Sequence, residues 1–216
     1  MPDSTHKTFR WSLDAIAEIG AAIALSAAAL LTSWAGFQAA LWDGEQAAAY
    51  AQAGIARVQA GVLATQNGQL EAVDLFLFTQ WLNAFAEEDQ ELQDFYRVRF
   101  RPEFARAFDA WVALKPRYNP TAPPTPFAMP NYKPVLARQS AETNQRADAL
   151  FAKGERANSV GDSFVRATVV LAIALFLGGI GQTFKREILR LGLSGLAAIA
   201  CVAGLIQLFA LPVASL

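Results

Sequence analysis

Four side chains near the end of the first apolar stretch have the types and spacing to form a site. They are Trp34, Gln38, Trp42 and Glu45. Steps of three and four place Trp34, Gln38, Leu41 and Glu45 near one face of a helix that leaves the membrane. An amide within an apolar stretch needs a hydrogen-bond partner, because unsatisfied polar groups are costly there. That partner is a neighbouring helix, a lipid headgroup or an ion path. We favour an aromatic belt with helix-packing hydrogen bonds over a binding site.

The acidic segment at residues 87–94 contains the densest group of charges. Calcium and magnesium ions bind several carboxylate oxygens, so a cation site is one interpretation. The segment lacks the loop pattern and the turn glycine of an EF-hand, and a helix would spread its carboxylates around the circumference. We therefore predict a solvent-exposed face, partly neutralised by nearby arginines, and no metal site. Those arginines are Arg97, Arg99, Arg101 and Arg106.

Other chemistry finds little support in the composition. His6 is the only histidine and Cys201 the only cysteine, which argues against histidine-centred catalysis, a disulfide framework and a cysteine-based zinc site. The net charge of −1 argues against nucleic acid as a partner. The sequence contains no G-x-S-x-G, HExxH or CxxC motif. We predict no catalytic residue and no cofactor.

Long apolar stretches organise the chain. It is 54% hydrophobic and 17% charged, where a soluble domain has about 25% charged residues. Residues 19–37 carry no charge, and about 20 apolar residues cross a bilayer as a helix. A cleaved signal peptide is the alternative, but the stretch exceeds the usual h-region and its n-region is weakly basic. Two further stretches of similar length lie near the C-terminus, so we predict an all-α membrane protein with three transmembrane helices.

Between the first two spans we expect a mostly helical insert. The pattern predicts a helix that continues beyond Trp42 to a turn at Asn67-Gly68, and a second helix from Leu70 to about residue 97. A shorter helix follows Pro102 and ends near residue 115. Seven prolines then mark an extended connector at 116–134. From residue 135 a polar helix runs directly into the second span.

Small residues in the last two spans favour close helix packing. The pairs Ala174–Gly178 and Ala200–Gly204 have a small-xxx-small spacing, which lets transmembrane backbones approach. We predict membrane-packing roles for Gly178, Gly192 and Gly204.

Basic residues in short loops predict the orientation. The N-terminal tail carries Lys7 and Arg10, and the turn between the last two spans carries Lys185, Arg186 and Arg190 against Glu187. The positive-inside rule therefore places both in the cytoplasm and the insert outside. The predicted segments are a cytoplasmic tail (1–15), a transmembrane helix (16–42), an extracytoplasmic insert (43–162), a second transmembrane helix (163–184), a cytoplasmic turn (185–188) and a third transmembrane helix (189–212).

The sequence around the first exit from the membrane resembles a known group. Residues 32–38, TSWAGFQ, followed by Trp42-x-Gly44-x-Gln46, resemble uncharacterised bacterial three-span membrane proteins with a Trp-x-x-aromatic-Gln signature at the end of the first span. The proline-rich connector is not part of that pattern. The resemblance implies a multi-pass protein of the bacterial inner membrane with no established activity, and it adds no catalytic residue.

These observations favour a non-enzymatic protein. We expect a structural or accessory subunit that contacts membrane lipids and forms a homo-oligomer or binds other membrane protein subunits. The alternative is a homo-oligomeric channel or transport pore, with Gln38 and Glu45 at its entrance. A lipid-modifying enzyme that uses carboxylates of the insert ranks third.

Overall fold

The computed structural model describes the backbone of residues 13–214 and the side chains of residues 19–214 except Ala21. The structure is 82% helical, and its described part contains no strand. The predicted all-α membrane class is thereby confirmed. The predicted cytoplasmic tail falls almost entirely outside the described residues. The helices are α1 (Leu13–Ala86), α2 (Gln90–Arg97), α3 (Pro102–Ala113), a short 3₁₀ helix (Pro126–Ala128), α4 (Val135–Gly181) and α5 (Glu187–Phe209).

Helix α1 runs for 74 residues without interruption. The predicted turn at Asn67-Gly68 is wrong. A hairpin-type Asn-Gly turn needs a positive φ, and no glycine among the described residues has a positive φ. Good helix formers flank Asn67 and Gly68 on both sides, so the pair stays helical. At 1.5 Å per residue α1 is about 110 Å long, against a bilayer core of about 30 Å. Most of α1 therefore extends beyond the hydrocarbon region.

The first break in the chain follows residue 86 instead. Glu88 has a φ of 59°, in the left-handed region, and so ends α1. The Asp89 side chain then accepts a hydrogen bond from the backbone N–H of Leu92 at 2.9 Å and caps the start of α2. The prediction of one helix from Leu70 to about residue 97 is therefore wrong, because this turn divides it.

The later helices follow the predicted pattern more closely. Pro102 occupies the first turn of α3, and the connector that follows α3 contains turns and one 3₁₀ helix. Helix α4 is continuous from Val135 to Gly181, so the prediction of a polar helix that runs directly into the second span is confirmed. Helices α1, α4 and α5 are each long and apolar enough to cross a membrane.

The chain divides into two compact units. Unit 1 comprises the residues up to Ala49 and those from Ala152 onward, and unit 2 comprises Tyr50–Phe151. The core of unit 1 contains small and aliphatic side chains around one phenylalanine: Ala35, Ala39, Phe164, Ala167, Leu171 and Leu208. The core of unit 2 is aromatic: Phe78, Phe100, Phe104, Phe108 and Trp111.

Candidate functional site

The amide of Gln38 lies inside unit 1 and has a partner from the C-terminal segment. The residue is 3% exposed, and its Oε1 accepts a hydrogen bond from the backbone N–H of Ala214 at 2.9 Å. A buried amide oxygen without a partner would lose its interaction with water and gain nothing in return. The segment after α5 supplies this partner, and the two residues are 176 positions apart in the sequence.

Trp42 binds the same segment one helical turn further along α1. Its indole Nε1 donates a hydrogen bond to the backbone carbonyl of Pro212 at 3.3 Å. Leu211 packs against the buried core that contains Phe164 and Leu208. Gln38 and Trp42 therefore act together, and together they hold residues 211–214 against α1.

The other two predicted site residues contact α4. The ring of Trp34 meets Phe164 edge to face, with centroids 6.0 Å apart. Glu45 accepts a hydrogen bond from Nζ of Lys153 at 3.0 Å, and both side chains are more than half exposed. An exposed pair of this kind contributes about 0–1 kcal/mol. The four residues thus contact two different segments, α4 and the segment after α5, and none of them lines the cavity in unit 1.

Two of the three predicted packing glycines lie in close contacts within unit 1. A Cβ on Gly178 would meet Leu25 Cδ2 at 2.7 Å, and a Cβ on Gly204 would meet Leu171 Cδ2 at 2.8 Å. Gly192 has no such neighbour: no atom of the described chain lies within 4 Å of the Cβ position. The face of α5 that carries Gly192 is exposed in the described chain, so a packing role for Gly192 stays a prediction.

Two further glycines that the sequence did not single out allow close contacts. A Cβ on Gly161 would lie 3.2 Å from Asp43 Oδ1, and one on Gly181 would lie 3.2 Å from Leu193 Cβ. Both glycines lie on α4, and Gly181 is its last residue. The first contact is with α1 and the second with α5. Each contact is made with another helix, so the residues that flank these glycines in the sequence could not predict it.

A cavity of about 280 Å³ lies between the three apolar helices of unit 1. Its wall is mostly alanine and glycine, with Gln182, Ser194 and Cys201 as its polar contributors. The described residues contain no group of three histidine, cysteine, aspartate or glutamate side chains that could hold a metal ion. The cavity therefore offers space within apolar walls and no arrangement of charged ligands.

The carboxylates of the acidic segment are exposed, as predicted, but three of the four neighbouring arginines bind other groups. Arg97 pairs with Asp109 and lies over the rings of Phe100 and Phe108. Arg99 lies over Phe95. Arg101 pairs with Asp74 and Glu103. The predicted neutralisation by Arg97, Arg99 and Arg101 is therefore wrong, because aromatic faces and other carboxylates on unit 2 bind these three side chains instead.

Unit 2 buries an ion pair that sequence reasoning missed. Asp74 is fully buried, and its carboxylate accepts hydrogen bonds from Arg101 Nε at 3.0 Å and from Arg101 Nη2 at 2.5 Å. Glu103 lies 3.5 Å from the same guanidinium. The hydrogen bond to Asp74 raises the pKa of Arg101 although burial opposes it, so the guanidinium stays charged. A lone aspartate within the apolar run VDLFLF was the available signal.

Tyr132 lies close to this pair. Burial, together with the negative charge of Asp74, raises the pKa of Tyr132 to about 12. Its hydroxyl is buried and has no hydrogen-bond partner in the described part of the chain. The phenol is therefore neutral at physiological pH, and it forms one wall of the aromatic core.

Phe78 lies at the centre of that core. Its ring contacts Phe104, Phe108, Trp111 and Phe127 at centroid distances of 5.6 to 6.3 Å. Each such aromatic pair contributes about 0.5–1.5 kcal/mol beyond its buried area. Because Phe127 belongs to the connector, the proline-rich segment is part of the core of unit 2.

Two hydrogen bonds fix the connector as well. The indole Nε1 of Trp111 donates to the backbone carbonyl of Pro123 at 2.8 Å. The Asn131 side chain donates to the carbonyl of Arg106 at 3.1 Å. These contacts attach both halves of the connector to α3.

The three apolar helices and the helical fold define an all-α, multi-pass membrane protein. Comparisons with protein-family models, with curated proteins and with solved structures find no match for this chain. The resemblance to bacterial three-span proteins therefore stays a prediction.

Proposed function

We propose that this protein is a non-enzymatic structural or accessory subunit of an oligomer or a larger complex in the bacterial inner membrane. The observation that carries the proposal is the exposed apolar surface of unit 2. Ile55, Val58 and Phe76 are 60%, 69% and 60% exposed, although they lie on the part of α1 beyond the predicted first span. Apolar side chains exposed along a helix in this way mark a protein interaction surface.

The length of α1 supports this proposal. About 30 Å of the helix suffices to cross the bilayer, so lipid cannot cover the apolar side chains along the whole of its length. In water each buried CH₂ group contributes about 0.8 kcal/mol. Burying this surface against another protein is therefore favourable. In an assembly, a neighbouring subunit would bury it.

The candidate site at the end of the first span also supports a structural role. Gln38 and Trp42 accept or donate hydrogen bonds within their own chain, and Glu45 pairs with Lys153. A binding or catalytic site would need polar groups directed at a ligand. The same contacts count against the pore alternative, because a buried Gln38 and a paired Glu45 do not line an entrance.

Purification in a mild detergent followed by native mass measurement tests the proposal. We expect a particle larger than one 23.3 kDa chain, made of several copies or of this chain with other subunits. The same sample in a denaturing detergent serves as the monomer control. A strictly monomeric particle without a copurifying protein would contradict the proposal.

The proposed orientation has a separate test. We place the N-terminus in the cytoplasm and the insert outside, so a reporter fused at Pro124 should be active only outside the cytoplasm. A reporter fused at Glu187 should show the opposite behaviour. Cytoplasmic activity at Pro124 would overturn the proposed topology.

A further inference from the structure

Helix α1 contains three consecutive seven-residue repeats. Residues 52–58, 59–65 and 66–72 read QAGIARV, QAGVLAT and QNGQLEA. Each repeat begins with glutamine and has glycine at its third position. Two of the three have a β-branched residue at the fourth. A repeat of 3.5 residues per turn keeps the same residues on one side of a helix only if the helix supercoils around a partner.

One face of this repeat is already covered within unit 2. Ala53, Ala56 and Ala60 are at most 5% exposed. Ser140 of α4 donates a hydrogen bond to the carbonyl of Ala60 at 2.8 Å, and Arg57 pairs with Asp148 of α4 at 3.0 Å. Helix α4 therefore covers the alanine face, and that face cannot accept a second helix.

The opposite face has no cover in the described chain. Ile55, Val58 and Val62 are 60%, 69% and 51% exposed and follow each other at steps of three and four. Ala51, Thr65 and Gln69 continue the same spacing and are also exposed. We call these six positions the outer seam. In heptad terms they are successive a and d positions, while the alanines that face α4 are at b and f.

Three glycines border the outer seam. Gly54, Gly61 and Gly68 lie seven residues apart, and no atom of the described chain is within 4 Å of any of their Cβ positions. Glycine within a helix is unfavourable relative to alanine, and packing within unit 2 gives no reason for it. Glycine does allow the backbone of another helix to approach closely.

The geometry points to a second copy of this chain as the occupant of the outer seam, in a parallel coiled coil. The inference rests on the proposed function, since copies inserted with one topology in a membrane bring their α1 helices together in parallel. In that arrangement each seam residue meets the same residue of the other copy. Position g of one helix then lies beside position e of the next heptad in its partner.

The flanking residues fit this pairing. Gly54 and Gly61 are g positions, and Gln59 and Gln66 are the e positions that they would face in the second copy. A long glutamine side chain fills the space that a glycine leaves, and its amide can bind the exposed backbone. The same surface thus carries both the glutamine side chains and the glycines against which they pack, so two copies of it are complementary.

The charges agree with self-association. Between residues 51 and 69 the only charged side chain is Arg57, which is paired with Asp148 of its own chain. Like charges at matching positions would repel a second copy, and complementary charges would indicate a different partner. A neutral seam flanked by glutamines has neither property, so two identical helices can meet along it.

The available area suits a weak, reversible pair of copies. At 1.5 Å per residue and a width of about 10 Å, the outer seam offers about 300 Å² on each copy. In unit 1, α1 exposes Leu30, Trp34 and Phe37 at the same spacing, and the eight residues from Leu30 to Phe37 add about 120 Å² on each copy. The sum of about 800 Å² over both copies is below the roughly 1,000 Å² of a stable interface and within the range of transient ones.

Disulfide cross-linking of the full-length chain in membranes tests the inference. Cys201→Ser removes the only cysteine, and V58C then introduces one on the outer seam. A64C is the matched control, because Ala64 is exposed on the same helix but lies outside the seam. After mild oxidation we expect a disulfide-linked dimer from V58C and from V62C, and none from A64C. Equal yields from V58C and A64C, or no dimer from V58C and V62C, would overturn the inference.

The mass of the V58C chain in mild detergent separates this inference from the proposed function. An oligomer without the V58C disulfide overturns the seam and leaves the proposed function standing. A monomer without any disulfide overturns both. A disulfide between V58C and a different protein also overturns the second copy as the occupant.

A substitution at a glycine gives an independent test in the V58C background. G61L adds bulk beside the seam, has open space within its own chain and improves helix propensity, so the monomer should fold. We expect the yield of the V58C disulfide to fall about tenfold, as a moderate overpacking penalty at the interface requires. A64L is the control and should retain the yield. An unchanged yield with G61L would contradict close approach at the glycines.

Discussion

The two units of this protein use different kinds of core. In unit 1 the helices meet through Ala35, Ala39 and Ala167 and through close contacts at Gly178 and Gly204. In unit 2 they meet through a cluster of large aromatic rings. Lipid tails solvate apolar side chains as well as another helix does, so close backbone packing stabilises a membrane bundle. The aromatic core of unit 2 instead buries large apolar surfaces, which is the main stabilising contribution in a domain surrounded by water.

Their buried polar groups differ in the same way. Unit 1 buries the neutral amide of Gln38, whose partner is a backbone N–H. Unit 2 buries the charge of Asp74, whose partner is the guanidinium of Arg101. Burial of an ion pair requires good geometry and further hydrogen bonds, and here two N–H groups of the guanidinium donate to the carboxylate. The comparison indicates that losing a partner should affect unit 2 more than unit 1.

The largest effect should follow from Arg101→Ala. It leaves the fully buried Asp74 without its guanidinium partner, which typically destabilises a protein by about 3–5 kcal/mol. Thermal unfolding of the purified chain and hydrogen exchange in unit 2 would measure the loss. Arg138→Ala is the control, because Arg138 pairs with Glu142 on an exposed face and should change stability by less than about 1 kcal/mol. Equal stability of the two variants would show that the buried pair does not stabilise unit 2.

Phenylalanine-to-alanine substitutions in the two units should differ next. Phe104 and Phe164 are both fully buried, so the size of the cavity is similar. Phe104→Ala should destabilise unit 2 by about 3–5 kcal/mol. Phe164→Ala should destabilise unit 1 by about 1.5–3 kcal/mol less than Phe104→Ala destabilises unit 2. Lipid solvates an exposed phenylalanine side chain, so most of the free energy of transferring it out of water does not contribute there. Both are measured by thermal unfolding in the same detergent, and equal losses would contradict the proposed difference between the cores.

Close packing in unit 1 is tested by a pair of glycines. Gly204→Ala places a Cβ 2.8 Å from Cδ2 and 2.9 Å from Cγ of the fully buried Leu171, and should destabilise unit 1 by about 1–3 kcal/mol. Gly192→Ala meets open space and should stabilise the chain by up to about 1 kcal/mol, because alanine is the better helix former. Thermal stability in detergent distinguishes them. A neutral Gly204→Ala would show that α4 and α5 can separate freely.

The smallest effect should come from Gln38→Leu. Loss of one hydrogen bond to the Ala214 N–H should reduce stability by about 0.5–1.5 kcal/mol. Hydrogen exchange at the Ala214 amide should become faster. Gln207→Leu, at an exposed position of α5, is the control and should leave that exchange rate unchanged. Unchanged exchange in Gln38→Leu would mean that Trp42 alone holds the C-terminal segment.

Local patterns in the sequence predicted the elements that depend on local physics. The apolar runs predicted three helices that could cross a membrane, and the absence of proline from residue 135 to residue 211 predicted the continuity of α4. The Asn67-Gly68 turn failed because an Asn-Gly pair remains helical when strong helix formers surround it. The break at Glu88 carries no glycine or proline, so little in the local pattern marks it.

Contacts between distant segments could not be predicted in the same way. Gln38 was correctly expected to need a partner, but Ala214 offers only a backbone N–H, which any residue other than proline could supply. The arginines near the acidic segment were assigned by their nearness in sequence. In the folded chain Arg101 pairs with Asp74, which lies 27 residues earlier on α1. Such pairs depend on tertiary packing, and the local pattern of a single sequence does not predict that packing.

The hydrogen bond between Gln38 and Ala214 also has a consequence for biosynthesis. Gln38 enters the membrane early, whereas Ala214 is synthesised only after α4 and α5. During that interval the amide lacks its final partner, so the nascent first helix is in a state that differs from the finished protein. A stalled or truncated product that ends before residue 211 would retain this unpaired amide and the uncovered indole of Trp42. Such a product should be recognisable to membrane proteases, and the contact would then report that all three helices have been inserted.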